Sequence, residues 1–104
     1  MFDLFSKITE AKKRIEQVKA ALANREFIVS DREGNVTVIA SATKDIKSIK
    51  LSDQFHSLSK EQAAAVLQET INKALQEAET YAKEEMRKAT DGLIPNIPGL
   101  NLFG

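Results

Sequence analysis

Lys12, Lys13 and Arg14, with Lys19 further on, form the densest group of cations in the chain, and Lys83, Arg87 and Lys88 form a second group. Clustered lysine and arginine side chains can neutralise the phosphates of a duplex without reading its bases, and each neutralised phosphate adds to the salt dependence of binding. Side chains of the same type also serve as a solvated, salt-bridged helix face, and Glu10 and Glu16 lie beside the first group as Glu84 and Glu85 lie beside the second. No aromatic residue is interleaved with either group, so stacking of single-stranded bases is not expected.

Covalent and metal chemistry find little support. There is no cysteine and a single histidine, which excludes disulfides, thiolate nucleophiles, thiolate metal sites and multi-histidine metal centres. His56 stands between Asp53 and Ser57, but three neighbouring loop residues seldom build a nucleophile, base and orienting acid, and a surface or capping histidine is expected. The pairs Glu84-Glu85 and Glu77/Glu79 fall one and two residues apart, a spacing that does not share a helix face. Glycine occurs only at positions 34, 92, 99 and 104, so neither common phosphate-binding glycine loop is present. No catalytic, cofactor-binding or metal-binding residue is assigned, no cofactor or small-molecule substrate is expected, and the chain is read as a non-enzyme.

The elements that carry the cations follow from the periodicity. Leu4, Ile8, Ala11, Ile15, Val18 and Leu22 are spaced 4, 3, 4, 3, 4, a narrow apolar seam suited to packing along another helix. The period then changes. Glu26 to Ser30, Val36 to Ala40 and Ile46 to Leu51 are rich in β-branched and aromatic residues and predict three strands. Their connections, Asp31 to Asn35 and Thr43 to Asp45, are short enough to require an antiparallel meander, with Gly34 or Asn35 free to take positive φ. Ser59 and Gln62 predict a capping box. A helix over residues 60–90 would be roughly 46 Å long, more than a sheet of strands ~17–20 Å long can cover. Its far half must therefore be covered by the first helix, by a second copy of the chain, or by both. Gly92 is placed to end that helix, and residues 93–104 form an apolar tail containing Pro95 and Pro98 that is expected to dock or to await a partner. The domain boundary is set at 1–92, with 93–104 as the tail.

A length of 104 residues with 42% hydrophobic and 29% charged residues suits one globular domain. The net charge is zero, which taken alone argues against a strong nucleic-acid binder. The charge is unevenly spread, however, and residues 1–25 hold six basic groups against three acidic ones. The opening MFDLFSKITE lacks the order of a signal peptide, and no apolar run approaches the ~20 residues that cross a bilayer. A cytoplasmic location with no membrane partner is expected.

Taken in order, Met1-Phe2 and a heptad-spaced basic helix, a meander ending in Ile46 to Asp53, a capped alanine-rich helix, Gly92 and Pro98-Gly99-Leu100 resemble the YbaB/EbfC family of bacterial nucleoid-associated proteins. The resemblance covers nearly the whole chain. It implies an α+β fold with an α-β-β-β-α subunit, a three-stranded antiparallel meander flanked by two long helices. It also implies a tweezer-like homodimer joined through its sheets, a nucleoid location, and binding to double-stranded DNA with little or broad sequence preference. The chain departs from the family at two turns: the first hairpin keeps only Gly34, and Thr43-Lys44-Asp45 stands where glycine or asparagine is common. A dimeric protein-interaction adaptor, using exposed helix seams or the apolar tail, is the competing expectation.

Overall fold

The computed structural model describes residues 2–91. Helix α1 (Phe2–Ala23) leads into strands β1 (Glu26–Ser30), β2 (Val36–Ser41) and β3 (Ile46–Leu51), a short 3-10 helix (Asp53–Ser57) and helix α2 (Lys60–Thr90). The sheet is an antiparallel meander in the order β1-β2-β3, so the expected α-β-β-β-α subunit is the observed one.

Local chemistry explains the turns. In the first hairpin the Asp31 carboxylate accepts from the Val36 amide at 2.7 Å, and Gly34 takes the left-handed conformation at φ 73°. Asn35 is buried instead. Its side-chain and backbone oxygens accept from the Ser52 hydroxyl and amide, each at 2.9 Å. This pair ties the β1–β2 turn to the end of β3. In the second connection Lys44 adopts φ 70°, a left-handed conformation that costs a side chain with a Cβ about 1–2 kcal/mol. The turn is held by Ser41, whose hydroxyl meets that of Thr43 at 2.7 Å and accepts from the Asp45 amide at 3.2 Å.

Two apolar clusters form the interior. Val29, Val36, Val38 and Ala40 of the sheet pack on Ala74, with Val66, Leu67 and Ile71 of α2 and Phe55 around them. Ile15 and Leu22 of α1 pack with Met86 and Ala42, with Val18, Phe27, Tyr81 and Ala82 around them. Each fully buried Val, Leu, Ile or Met side chain contributes about 1.5–3 kcal/mol, so both clusters carry weight. The far half of α2 is therefore covered within this chain by α1. The α1 seam is used only in part, because Ala11, Ile15 and Leu22 are buried while Leu4 and Ile8 are exposed.

Helix α2 runs for 31 residues and starts with the expected capping box: the Ser59 hydroxyl accepts from the Gln62 amide and the Gln62 side chain accepts from the Ser59 amide, each at 3.1 Å. The cap expected at Gly92 and the tail over 93–104 lie outside the described residues.

Candidate nucleic-acid interface

Burial of Ala11, Ile15 and Leu22 against α2 turns the remaining faces of α1 to solvent. Lys12, Lys13, Arg14 and Lys19 are all exposed. At 100° per residue, Lys12 and Lys19 share one flank of the helix, Arg14 shares the other with Lys7, and Lys13 stands on the outer face. The cations thus surround the free side of α1 and do not converge on one stripe. On α2, Lys83 and Arg87 are four residues apart on the outward face, and Lys88 lies on a flank.

Ion pairing separates these seven groups. The Arg14 guanidinium meets Glu10 at 3.0 Å and the Lys19 amine meets Glu16 at 3.8 Å. Lys83 pairs with Glu79 at 3.1 Å, Arg87 with Glu84 at 2.7 Å, and Lys88 with Glu85 at 3.7 Å. All are exposed helix pairs of neighbouring turns, worth about 0.3–0.5 kcal/mol each. They dilute the positive field without locking the side chains away from an incoming phosphate. Lys12 and Lys13 have no ion pair among the described residues, and of these seven groups they are the most available to an anion. The acidic partners of α2 respond as expected. The Glu79 carboxyl is held below its ordinary value by the hydrogen bond from Lys83 and by the charges of Lys44 and Lys83. The Glu84 carboxyl is lowered chiefly by its bond to Arg87, whose own guanidinium is raised by it.

Arg25 belongs to the basic surplus of residues 1–25, but its position is structural. Its guanidinium lies 5.1 Å from the ring centres of both Phe27 and Tyr81, which themselves meet edge to face at 5.4 Å. Periodicity gave no signal for this, because Tyr81 is 56 positions away. Lys44 is likewise drawn to α2, where it approaches Glu79 at 3.9 Å.

The other candidates do not assemble into a site. His56 is exposed on the 3-10 helix, its ring 6.3 Å from that of Phe55, and it makes no hydrogen bond to Asp53 or Ser57 among the described residues. A depression of about 260 Å³ at the hairpin end is lined by Asp31, Arg32, Glu33 and Glu69, among others, and His56 is not part of it. Glu79, Glu84 and Glu85 are each paired with a cation. No group of three or more potential ligands could hold a metal ion among the described residues. No helix is long and apolar enough to cross a membrane among them.

Comparison with known proteins agrees with this picture. The chain is 31% identical over 104 residues to a nucleoid-associated protein of Clostridium kluyveri, across 96% of this chain and 87% of that one. It is 32% identical to a nucleoid-associated protein of Clostridium acetobutylicum, across 96% and 88%. It is 30% identical to one of Alkaliphilus metalliredigens, across 96% and 87%. Its fold is similar to that of an uncharacterized protein of Helicobacter pylori whose crystal structure is known, with a TM-score of 0.64 at 18% identity over 70% of this chain and 86% of that one. The YbaB/EbfC DNA-binding family matches residues 1–93, and with that match, the relatives and the fold in agreement, the chain belongs to this family.

Proposed function

We propose that this chain binds double-stranded DNA as a homodimer, with little or broad sequence preference, and works in the bacterial nucleoid. One observation carries the choice of surface: Lys12 and Lys13 stand exposed and, among the described residues, without an ion pair on a helix whose opposite side is buried. Compact cations of this kind suit phosphate contacts, which position a protein on duplex without sequence information. Arg14 and Lys19 flank them, and Lys83, Arg87 and Lys88 extend the basic surface along α2 once their carboxylate partners yield. Two copies double the basic surplus that residues 1–25 present to a duplex, while the net charge stays zero.

The homodimer is supported by apolar side chains that the subunit leaves in water. Ile28, on the sheet face turned away from the helices, is 69% exposed; Ile46, Ile49 and Leu51 of the edge strand β3 are exposed too, on the opposite face, where the register sets them beside Ala40, Val38 and Val36. An apolar sheet surface with an open strand edge invites a second copy.

The test is a salt titration of binding to two duplexes of unrelated sequence, with the mass in solution measured alongside. Replacing Lys12, Lys13 and Arg14 with Ala is expected to weaken binding equally on both duplexes. Loss of Lys12 and Lys13 from two subunits should reduce the slope of log K against log salt by about 2–4. Absence of binding at low salt overturns the proposal, and binding unchanged by the triple substitution overturns the assignment to α1.

A further inference from the structure

Helix α1 outruns its partner. The two helices lie antiparallel: Phe27 at the strand that follows α1 meets Tyr81, and Ile15 packs with Met86 one to two turns further from the sheet. One turn beyond, Ala11 is fully buried and Ala89 and Thr90 are half-buried. Past this point α2 ends at Thr90 while α1 continues back to Phe2. These nine residues extend about 13 Å, and they leave Leu4, Phe5 and Ile8 52%, 73% and 38% exposed. Phe5 is the most exposed of the large apolar side chains among the described residues.

The chain that follows α2 starts where this uncovered stretch starts. Residues 93–104 contain no charged side chain and carry Leu93, Ile94, Ile97, Leu100, Leu102 and Phe103. At ~3.3 Å per residue, the first five of them already span the 13 Å that α1 projects. Ile94 and Ile97 each precede a proline, and that position disfavours a helical conformation and favours an extended one. A segment held extended loses less entropy on docking than a free one. We propose that residues 93–104 fold back within the same chain as a strap over the N-terminal turns of α1, seating apolar side chains on Leu4, Phe5 and Ile8. The strap would close the helix pair at its open end. Having no charged side chain, it would do so without adding acidic side chains beside Lys12 and Lys13.

Amide exchange of the full chain tests the docking. Deleting residues 93–104 is expected to speed exchange of the amides of residues 5–10 about tenfold while leaving β1, β2 and β3 unchanged. Replacing Leu100 and Phe103 together with Asp, which keeps the chain length, should give the same result. Unchanged exchange at residues 5–10 in both variants overturns the proposal. The absence of native cysteine allows a second measurement that shows whose strap it is. Phe5→Cys is combined in turn with Ile97→Cys, Leu100→Cys and Phe103→Cys, and oxidation is followed by non-reducing electrophoresis. At least one pair is expected to close within a single chain. Closure only between two chains would overturn the assignment to the same chain and give the surface to a second copy.

Discussion

The Arg25 guanidinium lies 5.1 Å from the centre of the Tyr81 ring and the same distance from that of Phe27. It thus caps the junction where α1, β1 and α2 meet. A cation over a partly exposed ring contributes about 0.5–1 kcal/mol, and the arginine stem covers apolar surface as well. Arg25→Ala is expected to destabilise the fold by about 1–2 kcal/mol, measured by urea unfolding. Its effect on DNA affinity at a temperature where the variant stays folded should be smaller than that of Lys12→Ala with Lys13→Ala. A larger effect would place Arg25 among the phosphate contacts.

Lys44 takes φ 70° in a turn where glycine would carry no steric cost. Lys44→Gly removes strain of about 1–2 kcal/mol. It also loses an exposed pair with Glu79, at 3.9 Å, worth under ~0.5 kcal/mol, and gives the unfolded chain more freedom, worth roughly 0.5–1 kcal/mol. The net expectation is a stabilisation of about 0.5 kcal/mol, seen as a raised urea midpoint with an unchanged slope. A destabilised variant would mean that the lysine side chain holds α2 to the turn more firmly than the pair distance suggests.

Ile28 is 69% exposed on the open face of the sheet, opposite Ile39 on β2. Ile28→Asp should cost the isolated subunit under ~0.5 kcal/mol, as a surface substitution does. A homodimer joined through its sheets would lose an apolar contact and gain a desolvated carboxylate on each side. The mass in solution is therefore expected to fall from two subunits to one, and the salt slope of DNA binding should fall with it. A dimer that survives the substitution would move the interface away from this face.

Glu79 and Glu84 have carboxyls lowered from 4.5 by Lys83 and Arg87 respectively, with Lys44 assisting at Glu79. A group whose pKa is lower in the folded than in the unfolded chain stabilises the fold above its unfolded value, and that contribution disappears as pH falls through the folded value. Thermal stability is thus expected to decline below pH 4.5 in part through these two groups. The variant with Glu79→Gln and Glu84→Gln should show a shallower decline there in a pH series of melting temperatures. The same variant frees Lys83 and Arg87 at neutral pH, and its duplex affinity should rise if these two cations touch phosphate.

Both helices, all three strands and the capping box at Ser59 were legible because each rests on local period or local hydrogen bonding. The 3.5-residue spacing from Leu4 to Leu22 announced a seam meant for another helix, and α2 meets that seam at Ile15 and Leu22. Contacts between distant positions were not legible. Nothing local told which cation would be paired, since Arg14 and Lys12 each have a carboxylate four residues away, at Glu10 and at Glu16, yet Glu10 meets Arg14 while Glu16 meets Lys19. The φ of Lys44 escaped for a related reason: the turn is imposed by the hydrogen bonds of Ser41, Thr43 and Asp45, and the residue at its apex must comply. The choice between α1 and a second copy as cover for the far half of α2 depended on where α1 packs, which periodicity leaves open.

Helix α2 belongs to both apolar clusters, with Ala74 in the one and Met86 in the other, and no glycine or proline falls between Lys60 and Thr90. It acts as a ruler. The offset between the sheet and the basic end of the helix pair is set by helical rise, not by a hinge that a ligand could bend. Inserting four residues between the two clusters would lengthen the rod by about 6 Å and rotate its far end by roughly 40°. That would turn Met86 off the α1 seam and detune the reach and the bearing of the cations together.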